Sequence, residues 1–116
     1  MDKKQLETEE VEIRWDGKPV KVVVRELGFL DVEEITSKAT SVKATGKTAL
    51  VDFNQTAYNT GLLIKGIMTA PFQVNHDTLR QIRNKDGKAM LEAIKRLSGI
   101  ADEEKKDLGQ ESASEN

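Results

Sequence analysis

The hydrophobic positions near the start of the chain recur at every second residue. Val11, Ile13 and Trp15 alternate with charged residues, which predicts a β-strand with one apolar face. Asp16-Gly17 supplies turn chemistry, because glycine permits a positive φ, and a β-branched run follows the turn. The pattern predicts a β-hairpin over about residues 10–25. An isolated hairpin is only marginally stable in water, so we expect other elements to cover its apolar face.

The middle of the chain shows helical spacing on either side of a polar stretch. Asp31, with Glu34 three residues later, resembles a capping box that starts a first helix. Residues 40–48 are rich in Ser, Thr, Lys and Gly, which predicts a mobile loop. A longer helix is predicted over about residues 49–69. We expect Pro71 to end it, because the residue before a proline disfavours the helical region.

Two further helices are predicted after Pro71. Asp77 can cap a short helix, which we expect to end at a turn over residues 84–87. A final helix follows, and Gly99 is its predicted stop. The apolar stripe of this final helix comprises Met90, Leu91, Ile94 and Leu97.

These elements predict an α+β fold that is mostly helical. The hairpin over about residues 10–25 is expected to pack on about four helices. We interpret residues 1–9 as a flexible lead-in and residues 10–100 as a single globular domain. Residues 101–116 are acidic and polar, which predicts a largely disordered tail.

Composition narrows the classes of protein that this chain can represent. It has 116 residues, of which 33% are charged and 4% aromatic, and its net charge of −2 provides no overall basic field for nucleic acid. No apolar run approaches the ~20 residues that a membrane span requires. The absence of cysteine excludes disulfides and zinc–thiolate sites. We therefore predict no cofactor, no metal site and no membrane association.

Two segments could in principle carry catalytic or phosphate-binding chemistry. Gly46-Lys47-Thr48 resembles the end of a P-loop, but Ser41 occupies the position where that loop requires glycine. The chain's single histidine, His76, precedes a predicted helix among ordinary capping residues and lacks a partner motif. We predict no catalytic residue and therefore no enzyme.

A locally basic stretch around the last two helices offers a different class of function. Two short helices around a turn could form a helix-turn-helix, which would make the chain a small nucleic-acid-binding regulator using residues 77–97. Lys95 and Arg96 also suit a helix C-terminus, where cations complement the helix dipole. We favour a solvated helix face. The basic residues are Arg80, Arg83, Lys85, Lys88, Lys95 and Arg96.

Six short motifs follow one another along the chain in a recognisable layout. They are Ile13-Arg14-Trp15, Val22-Val23-Val24-Arg25-Glu26-Leu27, a helix opening at Asp31, Leu63-Ile64-Lys65-Gly66-Ile67-Met68-Thr69-Ala70-Pro71-Phe72, Met90-Leu91-Glu92-Ala93-Ile94 and Leu97-Ser98-Gly99 before an acidic tail. This layout resembles that of the small tail assembly chaperones of long-tailed bacteriophages and prophages. The resemblance covers roughly residues 11–108, and the stretch 40–48 departs from it.

The resemblance implies a non-enzymatic role in the cytoplasm of the host cell. Such chaperones bind the tape-measure protein and keep it soluble while the tail tube forms. The family often makes a longer frameshift product that recruits the tail tube protein, so the resemblance implies this protein as a second partner. We also expect the chain to form homo-oligomers. The residues that we predict to bind the partner are Phe72, Val74, Leu79 and Ile82. Phe72 and Val74 could equally form a lid over the helical core.

Overall fold

A computed structural model describes residues 6–101 of the chain, so most of the predicted acidic tail lies outside the described residues. Within this part, 44% of the residues are helical and 32% lie in strands. The prediction of a mostly helical protein with one hairpin is therefore wrong. A second hairpin and a short fifth strand account for the difference.

The first hairpin consists of β1 (Thr8–Trp15) and β2 (Lys18–Arg25), paired in antiparallel register. Its two-residue loop places Asp16 at φ 55° and Gly17 at φ 77°. Positive φ at both positions is the pattern of a type I′ turn, whose twist matches that of the flanking strands. The turn was predicted, although β1 begins before residue 10.

Helix α1 (Phe29–Ala39) follows the first sheet strands and begins earlier than predicted. Gly28 is its N-cap and makes no side-chain capping bond, so the predicted capping box at Asp31 is wrong. The Asp31 carboxylate lies in the first helical turn, 4.0 Å from Arg25 and 3.7 Å from Lys65. These two ion pairs connect α1 to β2, which contains Arg25, and to α2, which contains Lys65.

The second hairpin consists of β3 (Thr40–Thr45) and β4 (Thr48–Phe53), where a loop and the start of a helix were predicted. Its strands are also joined by two residues, and Gly46 has φ 63°. Glycine with positive φ at the first loop position is typical of a type II′ turn. Leu50, Phe53 and Ala57 happen to follow helical spacing, which explains the wrong prediction.

Helix α2 (Gln55–Gly66) leads directly into the short strand β5 (Ile67–Thr69). Both lie within the stretch predicted as one helix ending at Pro71. The β5 strand pairs with β2, so the first sheet has the order β1-β2-β5. Pairing with β2 replaces the last turn of the predicted helix, because it satisfies the same backbone groups.

Helices α3 (His76–Leu79) and α4 (Asn84–Ser98) complete the described part of the fold. Asn75, not Asp77, caps α3, and the predicted turn over residues 84–87 is the first turn of α4. Gly99 ends α4 with φ 74°, as predicted, because the left-handed C-cap favours glycine.

The core lies where helices α2 and α4 pack against the first sheet. Its most deeply buried side chains come from the first sheet, from α2 and from α4. They are Ile13, Val22, Val24, Leu62, Met90 and Ile94. The approach of α2 to α4 requires Gly66, because a Cβ there would stand 2.5 Å from Ile94 Cδ1. Among residues 6–101, no helix has the length and apolar character needed to cross a membrane.

Candidate functional site

The four residues predicted to bind a partner are all partly buried against the core, and not open surface. Phe72 and Val74 lie on the segment that follows β5. Leu79 is the last residue of α3, and Ile82 lies between α3 and α4. The Phe72 ring stacks on Trp15 with 4.3 Å between ring centroids and a tilt of 33°. Of the two alternatives for Phe72 and Val74, this geometry favours the lid. Partner binding by Phe72, Val74, Leu79 and Ile82 stays a prediction.

The polar residues around His76 form a helix cap. The Thr78 backbone N–H donates to Asn75 Oδ1 at 3.0 Å, and the Asn75 N–H donates to Thr78 Oγ1 at 3.1 Å. His76 is exposed at the first position of α3. Its surroundings are those of a reciprocal capping box, which satisfies backbone donors that the short helix cannot pair.

Asp86 is the buried charged residue of the described core, and its partners identify a structural role. Its Oδ2 accepts hydrogen bonds from the Arg14 backbone N–H and from Arg83 Nε, both at 3.0 Å. The hydrogen bond from Arg83 lowers the pKa of Asp86, against an opposing effect of burial. The carboxylate thus fastens the first turn of α4 to the exposed edge of β1.

The basic stretch proposed for nucleic-acid binding is partly neutralised by neighbouring carboxylates. Arg83 is engaged by Asp86, and Arg96 Nη2 donates to both carboxylate oxygens of Glu9 at 2.7 Å. Helix α3 has only four residues, a single turn. The first helix of a helix-turn-helix has to cross the nucleic-acid backbone, which one turn does not provide. This geometry gives the regulator hypothesis no added support.

Several large hydrophobic side chains in the described region are exposed to solvent, and the second hairpin holds the largest group of them. On this hairpin, the exposed fractions are 62% for Val42, 61% for Leu50, 69% for Val51 and 45% for Phe53. The others are Leu6, Phe29, Leu30, Ile64 and Met68. A group of neighbouring exposed apolar side chains is often an interaction site.

The strand register sorts the side chains of the second hairpin onto two different faces. Residues directly opposite each other share a face, and the pairs alternate along the ribbon. One face carries the pairs Val42–Val51, Ala44–Ala49 and Thr40–Phe53. The other carries Ser41–Asp52 and Lys43–Leu50. The residues of the first set are apolar except for Thr40, and we call this surface the hairpin face.

The base of the second hairpin is held by the helices on either side. The Asn54 backbone N–H donates to the Ala39 carbonyl at 2.8 Å, and the Asn54 side chain accepts from the Ala57 N–H at 2.9 Å. The Phe53 ring lies 5.4 Å from the Tyr58 ring. The helices therefore fix the direction in which the hairpin face is presented.

Comparison with known proteins adds no assignment to this geometry. No family model, no curated protein and no solved structure matches this chain.

The sequence interpretation missed the hairpin face, although a signal for it was present. Two β-branched or alternating runs are separated by Gly46-Lys47, and glycine at the first position of a two-residue loop is a hairpin signature. The P-loop hypothesis considered the same residues for phosphate chemistry. Once the turn is recognised, the alternation of Val42, Ala44, Ala49 and Val51 predicts the apolar face.

Proposed function

We propose that this protein is a phage tail assembly chaperone that binds the tape-measure protein and keeps it soluble during tail tube assembly. The observation that carries the proposal is the exposed hairpin face on the second hairpin. The sequence motifs that resemble the tail assembly chaperones supply the second support. We place its activity in the cytoplasm of the host cell.

The physical requirement for such a chaperone is an apolar surface on a body that stays in solution. A long helical protein exposes apolar stripes before its assembly partners arrive, and these stripes associate unless another surface covers them. The hairpin face offers such a cover. With 33% charged residues, the rest of the chain favours solubility.

The remaining partners belong to the same proposal. A longer frameshift product would add a domain that recruits the tail tube protein, and copies of the chain would associate into homo-oligomers. Sequencing the DNA around the end of the reading frame tests the first point. A slippery run followed by an overlapping second frame is the expected result.

Co-expression with the tape-measure protein tests the central claim. The long, helix-rich product of a neighbouring gene is expressed alone and together with this chain, and its soluble fraction is compared. We expect the tape-measure protein to be insoluble alone and soluble in a co-purifying complex when this chain is present. An unrelated acidic protein of similar size is the control.

A gel-shift titration separates this proposal from the regulator hypothesis. We expect no specific shift with DNA from the surrounding genes. A sequence-specific shift that weakens steeply with salt, without any effect on the tape-measure protein, would contradict the chaperone assignment.

A further inference from the structure

We propose that the hairpin face binds one amphipathic α-helix of a partner, with acidic residues on either side of the apolar stripe of that helix. The inference builds on the proposed function, because the tape-measure protein would supply the helix. It specifies which surface binds and what chemistry is bound.

The first hairpin of the same chain shows what covers a surface of this kind. Helix α4, with 15 residues, packs against both β1 and β2. Its Met90 and Ile94 are fully buried, as are Ile13 and Val22 in the strands beneath. An amphipathic helix is therefore the element that packs on the β1–β2 ribbon in this fold, where α2 and β5 complete the packing. Within residues 6–101 the second hairpin has no helix over its apolar face.

The dimensions of the hairpin face match a single helix. Six-residue strands extend for ~20 Å, and two paired strands with their side chains are ~10 Å wide. A helix is also ~10 Å across, and ~20 Å of it is three to four turns. Val42, Val51 and Phe53 lie along this surface as contacts for residues at helical spacing.

The exposed area argues against a second copy of the chain as the occupant. The large apolar side chains of this face are Val42, Val51 and Phe53, exposed to 62%, 69% and 45%. Even a whole aromatic side chain buries only about 150–250 Å², so these three supply a limited contact area. A stable dimer requires ~800 Å² from each partner. The hairpin face is suited to a reversible contact, which a chaperone needs when it releases its client.

The charged residues at the second hairpin indicate which residues should stand beside the apolar stripe of the bound helix. Lys47 lies in the loop at the tip of the second hairpin and Lys38 lies in the last turn of α1 beside its base, while Lys43 and Asp52 offset each other on the opposite face. The chain as a whole carries a net charge of −2. The hairpin is therefore a positive region on an acidic protein, and it is complementary to a helix with glutamate or aspartate beside its apolar stripe.

A peptide-binding experiment with the full chain tests the inference. The probe is a labelled, end-capped peptide of about 18 residues with leucines at helical spacing and glutamates beside them. Binding is followed by fluorescence anisotropy. One comparison peptide has lysine in place of glutamate, and another has the same composition with leucine at every second position.

Matched substitutions on the two faces of the hairpin provide the decisive comparison. Val42→Thr with Val51→Thr keeps the β-branched shape and removes the apolar contact, and Leu50→Thr is the control on the opposite face. We expect the double variant to weaken binding of the glutamate peptide by about tenfold or more, and Leu50→Thr by less than about twofold. Circular dichroism and the thermal unfolding midpoint establish that the variants are folded.

Four outcomes would overturn the inference: unchanged binding by a folded double variant, an equal loss in Leu50→Thr, tighter binding of the lysine peptide, or tighter binding of the alternating peptide. The last result would indicate strand addition at the hairpin edge. A stable dimer that the double variant dissociates would also overturn it, because a second copy would then cover the face.

The same variants in the tape-measure co-expression separate the two proposals. If the wild-type chain binds the tape-measure protein and the double variant binds it equally well, the surface is wrong and the function stands. If the glutamate peptide binds through the hairpin face but the tape-measure protein is not solubilised, the function is wrong and the surface stands.

Discussion

The two hairpins have the same local design and opposite surroundings. Each joins antiparallel strands through two residues, and each has one apolar face. In the first hairpin, Ile13 and Val22 are completely buried beneath α4, whereas Val42 and Val51 in the second are mostly exposed. The difference shows that a loop and a register are sufficient to define a ribbon, while its burial depends on a separate element.

The edges of the two hairpins differ in the same way. Asp86 of α4 accepts a hydrogen bond from the Arg14 N–H at the outer edge of β1. In the part of the chain that the structure describes, the β3–β4 ribbon has no third strand on either side. A paired or covered edge resists association with other chains, and an uncovered one is available for it. Helix α4 therefore contributes both the cover and the edge protection of the first hairpin.

Removing the cover of the first hairpin should have the largest effect. We expect Ile94→Ala to lower the free energy of unfolding by about 2–5 kcal/mol, because it leaves a cavity between α4 and the sheet. Val51→Ala in the second hairpin should change it by less than about 0.5 kcal/mol, since this side chain is 69% exposed. Urea unfolding measures both. Equal losses would contradict the comparison.

The close contact between α2 and α4 can be disturbed from the other side. Gly66→Ala should destabilise by about 1–3 kcal/mol, because the added Cβ meets the Ile94 side chain. Gly87→Ala is the matched control, with nothing within 4 Å of its Cβ. We expect the control to be neutral or stabilising by up to about 1 kcal/mol, since alanine favours a helix. Thermal unfolding midpoints distinguish the two results.

The Asp86 contact makes the edge protection dependent on pH. Its pKa is lower in the folded than in the unfolded chain, so its contribution to stability is present above the unfolded pKa and is lost as pH falls through the folded one. Asp86→Asn should cost about 1–3 kcal/mol near neutral pH. Urea midpoints between about pH 2 and pH 6 should then vary less with pH than in the wild type. A parallel pH dependence in both proteins would exclude this role for Asp86.

The two loops offer the smallest and most local test. Gly17→Ala and Gly46→Ala both place a side chain at a positive φ, which costs about 1 kcal/mol. We expect the first to appear in global unfolding and the second to change it by less than about 0.5 kcal/mol, because the second hairpin can open locally. Hydrogen exchange at Lys43 and Leu50, whose N–H groups pair across the ribbon, should then accelerate in Gly46→Ala. Equal global losses would show that both hairpins unfold with the core.

Sequence patterns predicted those elements whose signals are local. The Asp16-Gly17 turn and its alternating strands, the Gly99 stop and the buried stripe of α4 all follow from residues within one or two turns of one another. The β5 strand was not predictable in this way. Its three residues become a strand because β2 is there to pair with them, and β2 lies more than forty residues earlier in the chain.

The candidate site illustrates the same limit. Phe72 was a reasonable candidate for an exposed contact, but Trp15 lies against it, and nothing near Phe72 in the sequence reveals that stacking. For residues 49–57, the amino-acid sequence was compatible with both helical spacing and strand alternation. The two-residue loop at Gly46 resolves the ambiguity once the whole of Thr40–Phe53 is considered as a ribbon.

Local sequence specifies the first ribbon and its apolar face, because turn geometry and side-chain alternation depend on neighbouring residues. For the second ribbon, the local pattern was compatible with a helix as well as a strand. Which ribbon α4 covers, and which is left open within residues 6–101, depends on tertiary packing. Burial requires a surface from elsewhere in the chain to reach the face, and the packing of α2, α4 and the sheet around Gly66 directs the available helix to one ribbon. Because α4 packs on the first ribbon, the hairpin face of the second ribbon remains exposed.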